Sequence, residues 1–284
     1  MTPTIPARSR HRLLWSVARI ALASYLLWCL VLSLLQTSMI FPRELAGAPI
    51  PDAGIPRSVE RWWIDAPDGS KVEAWYYPAR AGVPKPPPCA IIFHGNGELI
   101  DHIGDYADWY RERGYAVLVP EYRGYGRSGG VPSQDALTAD MLAFHALLVA
   151  RPEIDSTKLV YHGRSLGSAV AAQLAVRRPP AAFVLESPFL SVNAMAARYL
   201  VPGFFVRHPF RTDKVLPTLG RPVLILHSTH DEIVPYSHGA RLAALTPGAR
   251  LVDLSGSHNS VLAALPQYWA QVDAFLTSNV DAPR

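Results

Sequence analysis

Only two cysteines, Cys29 and Cys89, occur in 284 residues, so neither a disulfide framework nor a four-cysteine zinc site can be built. Charge is sparse: 18% of residues are charged against 49% hydrophobic, a balance that excludes a disordered chain. Acid is missing altogether from residues 1 to 43, which hold five arginines (Arg8, Arg10, Arg12, Arg19 and Arg43). The other 241 residues carry 22 basic and 23 acidic side chains, a net of −1. The overall +4 and the pI of 9.1 therefore belong to the N-terminus. The body makes no case for nucleic-acid binding. There is no internal repeat, and at roughly 100–200 residues per domain the length allows one large domain or two small ones.

What the N-terminus has is apolar length. From Ile20 to Phe41 the chain reads IALASYLLWCLVLSLLQTSMIF, 22 residues without a charge. As a helix at ~1.5 Å per residue this spans ~33 Å, close to the ~30 Å hydrocarbon core of a bilayer. Trp15, Tyr25 and Trp28 add aromatic bulk, and only Trp15 sits where an interfacial ring is expected. A cleaved signal peptide would have an apolar core of about 7–15 residues and a small-x-small site. This run is longer, and the first such site, Ala46-Gly47-Ala48, is followed by Pro49. Cys29 lacks the small residues a lipoprotein site needs before it. No polar face interrupts the run, which argues against a buried globular helix. The favoured reading is an uncleaved anchor. Four arginines precede the run and Arg43 alone follows closely, which predicts a cytoplasmic N-terminus and a body on the far side, periplasmic or extracytoplasmic. The expected layout is a basic segment over 1–19, a transmembrane helix over 20–41, a Pro-rich linker over 42–60 and one catalytic domain over 61–280.

In the body, Trp62 to Ile64, Asp68-Gly69 and Val72 to Tyr77 read as a hairpin. Six apolar runs follow: Ala90 to Phe93, Ala116 to Pro120, Leu159 to His162, Ala181 to Leu185, Val223 to His227 and Leu251 to Leu254. Most are continuous rather than alternating, as parallel strands covered on both faces are. Segments of helical spacing separate them, at roughly 103–113, 136–150, 166–177, 192–200, 237–245 and 261–278. This alternation predicts an α/β fold: a mostly parallel, doubly wound sheet with the hairpin as an antiparallel edge. Residues 81 to 88 (AGVPKPPP) read as a surface loop. Such sheets bind ligands beyond the carboxyl ends of their strands, so the residues just after each run deserve inspection.

After Leu159 to His162 comes Gly163-Arg164-Ser165-Leu166-Gly167 and then a small-residue helix. This is Gly-x-Ser-x-Gly between a strand and a helix, where a tight, strained turn lifts a serine Oγ above the sheet. The helix N-terminus also favours developing negative charge there. A serine hydroxyl needs a base, and the base needs a third group, in the chain order Ser, acid, His. Asp231 follows the strand ending at His227, and His258 follows the strand ending at Leu254. Glu232 is a weaker rival for the acid. His227-x-x-His230-Asp231 could be read as metal ligands, but no helix or third ligand supports that. His227 reads as structural, and His102, His145, His208 and His238 as solvated or capping. For the oxyanion, one donor is the Leu166 amide and the other comes from the loop His94-Gly95-Asn96-Gly97-Glu98, at Asn96 with Gly97 as the fallback. His94 reads as a brace for that loop. The segment 121–130 (EYRGYGRSGG) is glycine-rich but lacks the lysine of a phosphate loop, and reads as structural with aromatics near the site mouth.

Together these residues resemble the α/β-hydrolase superfamily, and within it the membrane-anchored, single-pass abhydrolases of the bud-emergence type, near the prolyl-oligopeptidase-like branch. The resemblance is carried by Phe93-His94-Gly95-Asn96, Tyr122 to Ser128 (YRGYGRS), Gly163 to Gly167, Asp231 to Pro235 (DEIVP) and Ser257-His258-Asn259, with the N-terminal run ending in Met39-Ile40-Phe41-Pro42. It implies Ser165 as nucleophile, Asp231 as acid, His258 as base, and oxyanion amides at Asn96 and Leu166. It implies no cofactor and no metal. Glu121 stands where the family often has Asp, and Leu99 where it often has a second Asn; these departures bear on the acyl-side pocket. Residues 187 to 215 leave room only for a small lid, whose Phe189, Tyr199, Phe204, Phe205 and Phe210 serve equally well as acyl-pocket lining or as core. The expected activity is a serine hydrolase acting on esters or thioesters, lipid esters included, through an acyl-enzyme. A serine peptidase on the same scaffold, and a non-catalytic membrane scaffold, are the alternatives.

Overall fold

A computed structural model describes residues 7–83, 86–260 and 266–281. The five-residue runs of Val, Ile, Leu and Ala become the buried strands of one eight-stranded sheet. Its strands are β1 (Glu60–Asp65), β2 (Lys71–Tyr77), β3 (Cys89–Phe93), β4 (Ala116–Pro120), β5 (Leu159–Arg164), β6 (Ala182–Glu186), β7 (Val223–Ser228) and β8 (Arg250–Leu254). The order is β1-β2-β4-β3-β5-β6-β7-β8. β1 and β2 pair antiparallel with each other, and β2 antiparallel with β4; every other pair is parallel. Asp68-Gly69 turns the first hairpin, with Gly69 at φ 82° and the Asp68 carboxylate accepting from the Ser70 amide at 3.0 Å.

The helices are α1 (Ala7–Ile40), α2 (Gly104–Glu112), α3 (Gln134–Val149), α4 (Leu166–Ala175), α5 (Val192–Ala197), α6 (Thr212–Leu219), α7 (Tyr236–Leu245) and α8 (Pro266–Leu276). Strand side chains alternate between two cores, one on each face of the sheet. Ile91, Phe93, Tyr161 and Phe183 pack with residues of α3, α4, α6 and α7. Ala90, Ile92, Val160 and Val184 pack with α2 and α8. Strands covered on both faces must be apolar throughout, which explains the continuous runs.

Several boundaries differ from the sequence reading. α1 begins at Ala7, well before the apolar run, because nothing over 7–19 breaks a helix. α6 was not expected, since Pro217 lies inside it and proline reads as a breaker. The stretch 42–60 is an irregular lead-in tied to the body rather than a free linker: Ala46 is buried, the Ile50 amide donates to Asp101 at 3.0 Å, and its carbonyl accepts from Arg127 at 3.1 Å. The expected helix start over 261–265 lies outside the described residues.

The connection from β3 leads to one side of the sheet, to β4, and β5 lies on the other side of β3. The loops that follow β3 and β5 therefore part and leave a crevice at their carboxyl ends.

Candidate active site

The turn between β5 and α4 carries Ser165 at φ 49° and ψ −113°, a backbone conformation that side chains rarely adopt. The Ser165 amide donates to the Glu186 carbonyl at 2.8 Å, which holds the bend. The two glycines of the pentapeptide make the bend possible. A Cβ on Gly163 would lie 2.6 Å from the Ser168 Cα, and one on Gly167 only 1.9 Å from the Phe93 carbonyl oxygen. α4 thus starts pressed against the end of β3.

His258, in the loop after β8, places Nε2 3.1 Å from Ser165 Oγ and Nδ1 2.7 Å from Asp231 Oδ2. Asp231, in the loop after β7, accepts from the Ile233 and Val234 amides at 3.0 and 2.7 Å through its other oxygen. Burial works to raise the Asp231 pKa. Hydrogen bonds from His227 and His258, the charge on His258 and the Val234 amide outweigh it and hold the carboxyl well below its ordinary 3.8. Glu232 instead accepts the His258 backbone amide at 3.1 Å, so it holds the loop while Asp231 holds the ring. His227 is fully buried, with Nε2 donating to the Val234 carbonyl at 2.9 Å and 3.5 Å from Asp231. His230 is exposed, its ring beside the Thr229 hydroxyl.

The loop after β3 is braced from below. His94 Nδ1 donates to the Gly95 carbonyl at 2.8 Å, and Nε2 donates to Glu121 Oε1 at 2.8 Å. With an acceptor facing each ring nitrogen the charged ring is favoured, and Glu121 also accepts from the Tyr122 and Ile100 amides. Burial works against that charge, but Glu121, the Gly95 carbonyl and Glu98 raise the His94 pKa above its ordinary 6.5. In a trans peptide the N–H of Asn96 points opposite the Gly95 carbonyl that His94 holds. The Tyr125 hydroxyl fixes the next peptide by donating to the Asn96 carbonyl at 3.0 Å. Asn96 and Leu166 both line the space beside Ser165.

A family profile described as Serine aminopeptidase, S33 (Hydrolase_4) matches residues 84–219. WAV2 of Arabidopsis thaliana, an alpha/beta hydrolase domain-containing protein, is 30% identical over 266 residues, covering 82% of this chain and 85% of its own. The chain belongs to the α/β-hydrolase family. An uncharacterised Mycobacterium tuberculosis protein, Rv2307c, is 33% identical over 201 residues, 69% of this hydrolase and 71% of that protein. The lysophosphatidylserine lipase ABHD12 of Macaca fascicularis is 33% identical over 216 residues, 66% of this hydrolase but only 52% of the lipase. Among solved structures, Est1E of Butyrivibrio proteoclasticus, with ferulic acid bound, superposes with a TM-score of 0.65 at 22% identity over 78% of this chain and all of that one. That last likeness is one of fold.

Some residues of the hydrolase's site left no mark in the sequence pattern. Arg164 donates through Nε to Glu186 at 3.0 Å, pairs with Glu98 of the loop after β3, and reaches the His258 carbonyl at 3.1 Å. Glu98 in turn accepts the Gly95 amide at 2.6 Å. Glu186, fully buried behind Ser165, also accepts from the Tyr106 and Tyr268 hydroxyls, each at 2.9 Å. Burial raises the Glu186 pKa against the pull of Arg164 and the two phenols. Arg164 is the first x of Gly-x-Ser-x-Gly and Glu186 closes a strand, which is the only signal either residue gave.

Other expectations need correction. Tyr122 and Tyr125 are buried under the loop after β3, stacked on and edge-on to His94, and do not stand at the site mouth. His145 is buried rather than solvated, and His238, also buried, accepts the Leu190 amide at 3.2 Å just ahead of α5. Phe189, Tyr199 and Phe205 line a cavity beside Ser165, whereas Phe210 belongs to the core with Phe41 and Phe204 faces outward. The cavity holds about 240 Å³, and among the described residues no charged side chain lines it. A second, larger cleft of about 1040 Å³ also opens on Ser165, and it carries charge: Glu98, Asp105 and Arg164 stand among walls that include Leu45, Ile103 and Trp269.

Proposed function

We propose that this α/β hydrolase is a serine hydrolase that cleaves acyl esters or thioesters through a covalent acyl-enzyme. The observation that carries the reading is the chain of contacts from Ser165 Oγ through the His258 ring to Asp231, at 3.1 and 2.7 Å. Ser165 Oγ attacks the acyl carbonyl while its proton passes to His258 Nε2. Asp231, kept ionised, orients the ring and steadies the imidazolium. The Asn96 and Leu166 amides receive the oxyanion. His258 then gives its proton to the leaving alcohol or thiol. Water, activated by the same ring, releases the acid. An apolar cavity and a wider cleft bearing Glu98, Asp105 and Arg164, both open to the serine, suit an acyl chain and a polar leaving group respectively. The lipase among the relatives supports a lipid ester as the substrate class.

Within the family, the motif set and the apolar N-terminus favour the membrane-anchored, bud-emergence-type abhydrolases. In this reading residues 1–19 are cytoplasmic, 20–41 cross the membrane, 42–60 connect, and 61–280 work on the far side. A peptidase reading draws on the description of the matching family profile. Among the described residues, the lining of the acyl-side cavity offers no carboxylate to receive a free amino terminus, which favours the ester reading.

A fluorophosphonate probe should label Ser165 in the full-length chain. Ser165→Ala should abolish labelling and lower nitrophenyl ester turnover on the order of 10⁶-fold. An unlabelled wild type, with ester turnover unchanged in Ser165→Ala, counts against the reading. Faster turnover of amino-acyl amides than of esters would favour the peptidase, and a protein inert across the acyl panel would favour the scaffold.

A further inference from the structure

Helix α1 is bound to the body along most of its apolar length. The Tyr25 hydroxyl donates to the Leu200 carbonyl at 2.8 Å, and Trp28 Nε1 to the Tyr199 carbonyl at 2.9 Å. Gln36 Nε2 donates to the Phe205 carbonyl at 3.0 Å, and Gln36 Oε1 accepts the Arg207 amide at 2.7 Å. Ser33 and Thr37 also reach the same segment, at Phe205 and His208. The part of α1 that precedes these contacts, residues 7 to 24, is 18 residues or ~27 Å long. That is short of the ~30 Å hydrocarbon core, and Arg12 and Arg19 shorten it further. If α1 crosses a membrane, the segment around 199–206 must enter the hydrocarbon with it.

The segment is made for that position. Leu200 and Phe204 are 74% and 83% exposed, beside an exposed α1 surface that includes Leu26, Leu30 and Leu34. Leu200 also has φ 59°, a left-handed conformation that costs a leucine roughly 1–2 kcal/mol and a glycine nothing. Irregular backbone survives in lipid only where its polar groups are satisfied within the protein. Here the polar side chains of α1 satisfy the carbonyls of Tyr199, Leu200 and Phe205. The cavity beside Ser165 lies between the same two elements, with Leu32, Met39 and Ile40 on one wall and Val192, Met195 and Tyr199 on another.

We propose that α1 and the segment 199–206 sit together in the leaflet next to the body. The cavity between them is then a port that takes the acyl chain of a single-chain lipid ester sideways from the bilayer to Ser165. A volume of about 240 Å³, below the roughly 300–1,000 Å³ of drug-sized sites, suits one chain rather than two. The polar head lies in the cleft lined by Glu98, Asp105 and Arg164. Hydrolysis adds water across the ester C–O bond and returns a fatty acid and the head-group alcohol. The proposal rests on the nucleophile reading of Ser165.

The test uses the full-length chain in phosphatidylcholine vesicles. A nitroxide on Phe204→Cys should relax with oxygen dissolved in the hydrocarbon and be shielded from an aqueous nickel chelate, while one on Asp65→Cys shows the reverse. The double variant Leu200→Asp/Phe204→Asp, whose altered side chains do not line the cavity, should lose at least tenfold in turnover of monooleoylglycerol held in the vesicles. Its turnover of water-soluble 4-nitrophenyl butyrate should stay within twofold of wild type. A label at 204 as open to the nickel chelate as one at 65 overturns the port, as does equal loss of both activities or loss of neither. If Ser165→Ala retains butyrate turnover, the nucleophile reading fails on its own, whatever the depth of residue 204.

Discussion

Arg164 carries no proton in the proposed reaction, yet it touches three pieces of the site: Glu98 on the loop after β3, Glu186 behind the serine, and the His258 carbonyl. Arg164→Ala should lower kcat about 10²-fold by letting these pieces drift on the ångström scale, with a smaller change in KM. It should also destabilise the fold by about 3 kcal/mol, since it leaves the buried Glu186 without its cation. Steady-state kinetics and urea unfolding measure the two effects.

His94 and Asp231 respond to pH in opposite directions. Asp231 has a lowered pKa, so its contribution to stability is present above its unfolded value and fades as pH falls through the folded one. His94 has a raised pKa, so its contribution is complete below its ordinary 6.5 and is lost as pH rises through the folded value. The Tm gap between wild type and His94→Gln should therefore be widest below pH 6.5 and narrow above it. Calorimetry across pH checks this, and a gap that widens with pH contradicts it. At this scale the sequence disclosed the residues that follow strands, because strand ends can be read from apolar runs. It did not disclose Arg164 with Glu98, 66 residues apart, because ion pairs across loops leave no periodicity.

At the scale of elements, the site depends on how closely α4 approaches β3. Gly167→Ala would drive a methyl into the Phe93 carbonyl, 1.9 Å from the position of its Cβ, and backbone cannot yield as a flexible side chain can. The variant should lose several kcal/mol of stability, read as a lowered Tm, together with the fluorophosphonate labelling. Wild-type labelling in Gly167→Ala would mean that α4 can retreat without cost. The parallel strands and most helices were legible because their apolar spacing is set by burial on both sheet faces. α6 was hidden by Pro217, and the depth of Tyr122 and Tyr125 by a glycine-rich context that reads as surface loop. Glu121 reaches His94 directly at 2.8 Å.

At the scale of the whole molecule, charge and apolarity are segregated. The basic N-terminus predicts that the body lies across the membrane from it. Cys29 and Cys89 are buried, so a single exposed reporter such as Asp65→Cys reads the orientation cleanly. A membrane-impermeant maleimide added outside sealed cells should label it without lysis. Labelling only after lysis would reverse the assignment.

The bonds from Tyr25, Trp28 and Gln36 to the carbonyls of 199–205 also mean that the first helix is not an interchangeable tether. In the proposed membrane arrangement, a generic polyleucine anchor would leave those carbonyls without their donors. Removing the first helix, for another anchor or for crystallisation, thus removes one wall of the cavity beside Ser165.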